Sequence, residues 1–447
     1  MTEQNSLTEQ LEQVKDRVRK VLELAEGLGA DGAEVAMSRT QGLSVGTRLG
    51  EVENVEFTND GALGITVYQG GRKGSASTAD LSESALKKTV QAAVNIAKYT
   101  SVDDCSGLAD KELLAMNPQD LDLYHPKVLS TAKAIELAKT CENEALSFDK
   151  RITNSDGATL DSFEGFKVYG NSYGQLVGYP SSRHSLSCVA IASDGDEMQR
   201  DYAYSVNRDF DLLDDGKNIG RQAAKEVLSR LNAKKLPTGK VPVMFRADIA
   251  NSIFGHFIAA ISGGNLYRKS SFLMDALGSK VFPEFLTIEE RPHLKKALAS
   301  SAFDSEGVIT QDRNIITAGV LDTYLLTSYS ARKLGLTTTG HAGGIHNWLV
   351  SSNGGDFDAM LKKLGTGLLV TELMGQGVNV LTGDYSRGAA GFWVENGEIA
   401  YPVAEITISG TLQNIFKGLV AVGNDVDLHG SIRTGSLIIE EMQVAGN

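Results

Sequence analysis

Two hydrophobic periods alternate along the first hundred residues, and their order restricts the fold more than any other feature. Leu7, Leu11, Val14, Val18, Val21, Leu22, Ala25 and Leu28 recur at three- and four-residue spacing and mark one face of a long helix. Ser6 and Glu9 form a capping box before it, and Gly27 and Gly29 stop it. The period then drops to two through the short segments AEVAMS, LSVGTRLG, VENVEF and LGITVY. Gly70-Gly71 links the last of these to RKGSAST as a hairpin. A second helix starts near Ser82 and runs through Leu86, Val90, Ala93, Val94 and Ala97. Helix, meander, helix predicts an α+β layout, an antiparallel sheet with helices on one face.

The later chain repeats the theme. Residues 101–120 read as a polar linker, and a helix follows with Ala132, Ile135, Leu137, Ala138 and Cys141. ITNSDGATL, FKVYGNSYG, HSLSCVAIAS and MQRDYAYSVN are strand-like, with turns expected at Asp156-Gly157 and Asp194-Gly195, and a helix spans about 219–231. The polar stretch from Asn232 to Gly239, with Pro237, is the best boundary. The expected division is an N-terminal α+β domain over 1–120, a middle α+β domain over 121–237 and a β-rich C-terminal domain over 238–447. In the last domain, Asn396-Gly397 reads as a hairpin turn between alternating strands, and a barrel-like or mixed sheet is expected.

Composition removes several function classes. A net charge of −13 argues against nucleic acid as a direct partner, because phosphate binding needs a basic face. No run of about 18 apolar residues occurs, so no membrane-spanning helix is expected. The polar, acidic N-terminus is unlike a signal peptide, and three cysteines without tight spacing fit a reduced cytoplasm.

Chemistry centres on residues 246–271. Ile249, Ile253, Phe257, Ala260 and Ile261 predict an apolar helix capped by Asp248 or Asn251 and ended by Gly263-Gly264 at positive φ. His256 sits at the margin of that stripe. A helical zinc-hydrolase site needs a second His one turn on and an adjacent Glu, but Phe257 and Ala260 stand there. None of the seven histidines precedes a Glu. His256, His341, His346 and His429 could pool into an unusual metal site, with ordinary loop side chains as the alternative. No G-x-S-x-G elbow occurs, and Ser270, Ser271 and Ser386 read as turn residues. Gly365-Thr-Gly367 lacks a dinucleotide pattern and leads into a strand. The cysteines lack a basic neighbourhood. Strand edges with Gly-rich flanks could still bind a peptide as an added strand.

The blocks TRLGEVENVEF, LGITVYQGGRKGSASTADLS, LDLYHP, ITNSDGATL, GGNLYRKSSFL, TTTGHAGGIHNW and GDYSRGAAGFWVENGEIAYPVAEITISG span nearly the whole chain. Together they resemble the TldD/PmbA family, and the last block favours its PmbA (TldE) branch. The resemblance implies a zinc-dependent peptidase complex pairing TldD-type and PmbA-type chains, in a family also linked to modulation of DNA gyrase. The TldD branch carries a His-Glu-x-x-x-His helix before its Arg-Lys turn, and a Cys ligand near the C-terminus. Anchored on Arg268-Lys269, those helix positions fall on Gly255, His256 and Ala260, and no Cys lies between 425 and 435.

The implied role is a non-catalytic PmbA/TldE-type subunit in proteolysis of unfolded peptides. No catalytic residue and no metal are expected in this chain, and zinc is expected in a TldD-type partner. Arg268, Lys269, Asn265 and Arg387 are the candidate cavity contacts, with Asp384 beside them. Two alternatives stand: a metallopeptidase active alone through unusual ligands, and a peptide-binding regulator, as a homodimer, without a protease partner.

Overall fold

The structure, a computed structural model, describes residues 7–446, so Ser6 of the expected capping box lies outside the described residues. Helix α1 (Leu7–Gly27) leads into strands β1 (Gly32–Arg48), β2 (Glu51–Gln69) and β3 (Arg72–Thr78), then helix α2 (Glu83–Tyr99). Helix α3 (Thr131–Leu146), strands β4 (Ile152–Asn171), β5 (Leu176–Asp194) and β6 (Glu197–Asn207), and helix α4 (Gly216–Ser229) repeat the pattern. All six strands form one antiparallel sheet in the order β3-β2-β1-β4-β5-β6.

The four expected short strands of the first repeat are two long ones. ITNSDGATL and FKVYGNSYG are likewise a single strand, β4. The Asp156-Gly157 turn is instead a bulge in β4, where the register shifts between Ser155 and Gly157. The Asp194–Glu197 hairpin is present as read. Along β1, Ala33, Val35 and Met37 share a core with α1 and α2, while Leu43 and Val45 share one with α3 and α4. These positions are all odd in an unbroken stretch, so all four helices lie on one face, at opposite ends of the same strands.

Residues 101–120 do more than link. Leu108, Ala109, Leu114 and Ala115 are buried, and the Arg332 guanidinium donates to the carbonyls of Cys105, Gly107 and Leu108. Two more side chains join the sheet to the last part of the chain. Gln175, fully buried, donates to Ala115 O at 2.9 Å and Gly307 O at 2.8 Å. Arg208 donates to the carbonyls of Ser182, Ala297 and Leu298.

The C-terminal part begins with β7 (Gly239–Phe245), α5 (Ala247–Ile261) and α6 (Gly263–Tyr267). Short strands β8 (Ile288–Glu290), β9 (Arg313–Thr317), β10 (Val320–Leu321) and β11 (Trp348–Val350) follow, with α7 (Ser328–Leu334) and α8 (Phe357–Leu364). The chain ends with β12 (Gly367–Met374), β13 (Asp384–Glu395), β14 (Glu398–Thr411), α9 (Leu412–Lys417), β15 (Leu419–Val422), β16 (Ile432–Arg433) and β17 (Leu437–Ala445). Strands β14-β13-β12-β7-β17 are paired in that order, and β14 also pairs with β17, which closes a five-stranded barrel. The Asn396-Gly397 turn joins β13 and β14, with φ of 54° and 80°, the left-handed pair a two-residue hairpin demands. Val243 and Phe245 of β7 pack in the core that holds α5, and Met244 between them faces α8.

Candidate functional site: the α5 helix and its cavity

Helix α5 is apolar because it is a core element. Ile253, Phe254, Phe257, Ala260 and Ile261 are all buried, and Phe257 meets Phe282 and Phe416 edge-on. Its ends differ from the sequence reading. The N-cap is Arg246, with no side-chain cap, because Asp248 is held by the Arg246 guanidinium at 2.7–2.8 Å. At the other end Ser262 breaks the helix, and Gly263 and Gly264 begin α6 at negative φ. Gly263 is required for close approach instead: a Cβ there would meet Ser330 Oγ at 2.3 Å. Lys269 takes the positive φ of the turn, 57°.

The turn after α6 closes on itself. Asn265 Nδ2 donates to Ala259 O at 2.8 Å, satisfying an α5 carbonyl, and Arg268 donates to Asn265 Oδ1 and the Tyr267 hydroxyl at 3.2 Å. Ser271 Oγ donates to Ala260 O at 2.5 Å. Arg268 and Lys269 are exposed. Arg387 is placed elsewhere, beside the first half of α5.

There a cavity of about 630 Å³ opens between α5, strand β6, β12–β13 and the loop at residues 425–429. Ser252 and Arg387 line it, and so do Tyr202 and Tyr204. These two rings stack at 6.1 Å on the helix-free face of β6, and Tyr202 is 53% exposed. Six carboxylates and four guanidiniums share the wall. Arg246 pairs with Glu226 and Asp248, and Arg230 pairs with Asp201 and Glu372. Arg200 pairs with Asp156, outside the cavity. Asp427 holds His429 at 2.7 Å, and Asp425 accepts from the Ser436 hydroxyl and N–H. Arg387 makes no ion pair among the described residues; its Nε donates to Gly375 O at 3.0 Å. Asp384, nearby in sequence, accepts from Thr382 in its own turn.

One helical turn past Ser252, the His256 ring packs edge-on to Tyr385 with centroids 5.7 Å apart. Ser252 Oγ, His256 Nε2 and the Tyr385 hydroxyl are buried without hydrogen-bond partners. Burial, then the nearby Arg387 charge, lowers the His256 pKa. Burial pushes Tyr385 up to about 12.

The other candidate histidines stand elsewhere. Glu290, at the end of β8, accepts from His341 Nε2 and from the His346 N–H at 2.9 Å, and from Trp348 Nε1 at 3.2 Å. His341 Nδ1 meets Thr339 Oγ1 at 2.8 Å, and Arg313 Nε lies 3.7 Å from the carboxylate as an ion pair, buried without a hydrogen-bond partner. Burial opposes the Glu290 charge, but the bonds from His341 and His346 prevail and its pKa is lowered. Asp304, which pattern reading missed, accepts from the Ala342 and Val308 N–H groups at 3.0 Å and so anchors the Gly-rich loop. Burial pushes its pKa up to about 7. His341 and His346 are thus fixed by a buried carboxylate, His256 by an aromatic ring and His429 by Asp427. The pooled four-histidine set does not assemble.

The arrangement is a helix-decorated antiparallel sheet joined to a closed barrel, with an apolar helix and a cavity where the two meet. Three family profiles match in series: PmbA/TldA metallopeptidase domain 1 over residues 33–97, central domain over 124–231 and C-terminal domain over 238–446. The chain belongs to the PmbA/TldD metallopeptidase family, on its PmbA branch. It is 58% identical over 433 residues to the metalloprotease PmbA of Escherichia coli O157:H7, covering 97% of this chain and 96% of that one. A solved structure from Bacteroides thetaiotaomicron, described as a modulator of DNA gyrase, superposes with a TM-score of 0.92 at 30% identity, covering 97% of this chain and 99% of the other. TldE from Thermococcus kodakarensis shares the fold, with a TM-score of 0.81 at 20% identity over 96% and 100% of the two chains.

The family name implies a metal, and α5 does not fit one. His256 is its one imidazole, Gly255 and Ala260 supply no donor, and the His256 Nε2 faces no second ligand. Among the described residues no three His, Cys, Asp or Glu side chains gather as a metal-holding group. A catalytic zinc takes three protein ligands. Among the described residues no helix is long and apolar enough to cross a membrane.

Proposed function

We propose that this chain is the non-catalytic, PmbA/TldE-type subunit of a cytoplasmic, zinc-dependent peptidase complex, and that it holds unfolded peptide while a TldD-type partner carries the zinc. The observation that carries this reading is the donor chemistry of α5, a single imidazole turned against Tyr385 on a chain of metallopeptidase lineage. No step of hydrolysis is assigned to this chain.

Its contribution is to bind and orient. Strand β6 is an edge of the six-stranded sheet and borders the cavity. Arg230 donates to the Arg200 carbonyl and Asp201 accepts from the Tyr202 N–H, so backbone groups of the even-numbered residues point away from β5. The same alternation turns the Tyr204 N–H and C=O outward, where an extended peptide can add as a strand. Tyr202 and Tyr204 offer it a ring surface. The domain division proposed is 1–120, 121–237 and 238–447, and Arg268, Lys269 and Asn265 are proposed as contacts on the partner side of α6.

The test is a peptidase assay on unfolded peptide with three arms, together with zinc analysis of the purified chain. The chain alone is expected to be inactive with far less than one zinc per chain. Addition of a TldD-type partner is expected to give activity, and replacing the partner's zinc-site Glu is expected to abolish it. Hydrolysis by the chain alone overturns the reading.

A further inference from the structure

Of the guanidiniums lining the α5 cavity, Arg387 alone lacks a carboxylate partner among the described residues. Its Nε is fixed by Gly375 O, and no carbonyl or carboxylate accepts from its terminal nitrogens among the described residues. The guanidinium faces the Tyr385 hydroxyl, which is 1% exposed as a residue and meets no other polar group among the described residues. Ser252, on the same cavity wall, has a buried hydroxyl without a hydrogen-bond partner. A buried hydroxyl costs free energy until something satisfies it, so Arg387 and Ser252, the two of these groups that line the cavity, await one acceptor-rich ligand.

We propose that Arg387, assisted by Ser252, binds the C-terminal carboxylate of an extended peptide, with Tyr385 and His256 as positioning residues behind the guanidinium. A free guanidinium fork takes a carboxylate through two parallel N–H···O bonds. The remaining wall decides the class of anion. Six carboxylates line the same cavity, which disfavours a dianionic phosphate and admits a single negative charge at the one unpaired cation. A volume of about 630 Å³ suits a peptide end of a few residues rather than a folded partner. Strand β6, with its outward Tyr204 backbone, runs along the opposite side and would hold the preceding residues.

This subsite rests on the peptide-binding reading above, and the experiment separates the two. An unstructured ten-residue peptide, fluorescein-labelled at its N-terminus, is prepared as the free acid and as the C-terminal amide. Binding to the full chain is followed by fluorescence polarisation. The free acid is expected to bind about tenfold more tightly than the amide, the scale of one charge-assisted bidentate pair. Arg387→Gln is expected to bring the acid down to the amide, and Arg387→Lys to keep an intermediate preference. Tyr385→Phe is expected to cut the preference to about threefold, with an unchanged unfolding transition that separates positioning from folding. Equal affinity for acid and amide in the unaltered chain overturns the subsite and leaves the peptide reading standing. A preference surviving Arg387→Gln also overturns it. Binding of neither peptide overturns both.

Discussion

Glu290 and Tyr385 are each 1% exposed in the same C-terminal part, yet their polar atoms have opposite fates. Both Glu290 oxygens are occupied, by His341, the His346 N–H and Trp348. The Tyr385 hydroxyl and the His256 ring nitrogen beside it have no partner. Burial alone does not separate a structural cluster from a functional one. Satisfaction of the acceptors does: a carboxylate with both oxygens bonded fixes a loop, though Arg313 Nε beside it stays without a hydrogen bond, and at Tyr385 the unbonded groups face a cavity wall.

The comparison can be broken by mutation. The largest effect is expected from Glu290→Ala, which strands the donors of His341, His346 and Trp348; urea unfolding should show a loss of about 3–5 kcal/mol. A loss below about 1 kcal/mol would mean the cluster is not closed as described.

Asp304→Asn comes next. Its carboxyl has a folded-state pKa of about 7, above the unfolded value of about 3.9. Its relative contribution is therefore fully present below pH ~3.9 and lost as pH rises through about 7. The Asn variant should show a flatter decline over that window, a difference on the order of 3 kcal/mol at its upper end. Unfolding midpoints across pH 4–8 measure it, and parallel profiles would contradict the buried carboxyl.

Trp348→Phe should cost roughly 2 kcal/mol, from one lost hydrogen bond to Glu290 and lost packing against Phe257. Tyr385→Phe sharpens the contrast most by doing least. Removing an unpartnered hydroxyl should leave stability within about 1 kcal/mol or raise it. A clear destabilisation in thermal unfolding would show that the hydroxyl is already satisfied.

What the sequence disclosed divides along the same physical line. Local signals were legible: the Asn396-Gly397 hairpin needs positive φ at two adjacent residues, and few pairs supply it. The α+β class followed from two clean periods. Gly263 misled because glycine serves both left-handed turns and close approach, and only the position of Ser330 reveals which. Long-range closure was hidden. Glu290 meets His341 across 51 residues and Trp348 across 58, and Arg230 reaches Glu372 across 142. Arg387 was legible as a cavity candidate, but that it alone remained uncompensated depended on pairings no spacing announces. The sequence also showed that α5 carries a single imidazole, but not that Tyr385, from β13, packs edge-on against it.

The single sheet shared by the first two family domains has a consequence for birth on the ribosome. Strand β1 cannot meet β4 until more than a hundred residues have followed it: Thr47 pairs near Ala158, 111 residues on, and Glu34 reaches Tyr169, 135 residues on. At about 5–20 residues per second this is a delay on the order of ten seconds. During it, β1 has only the β2 side of its ladder filled, and its other edge is open to any nascent neighbour. A pause or truncation between residues 100 and 150 is therefore expected to favour aggregation far more than one after residue 207, where β6 completes the sheet.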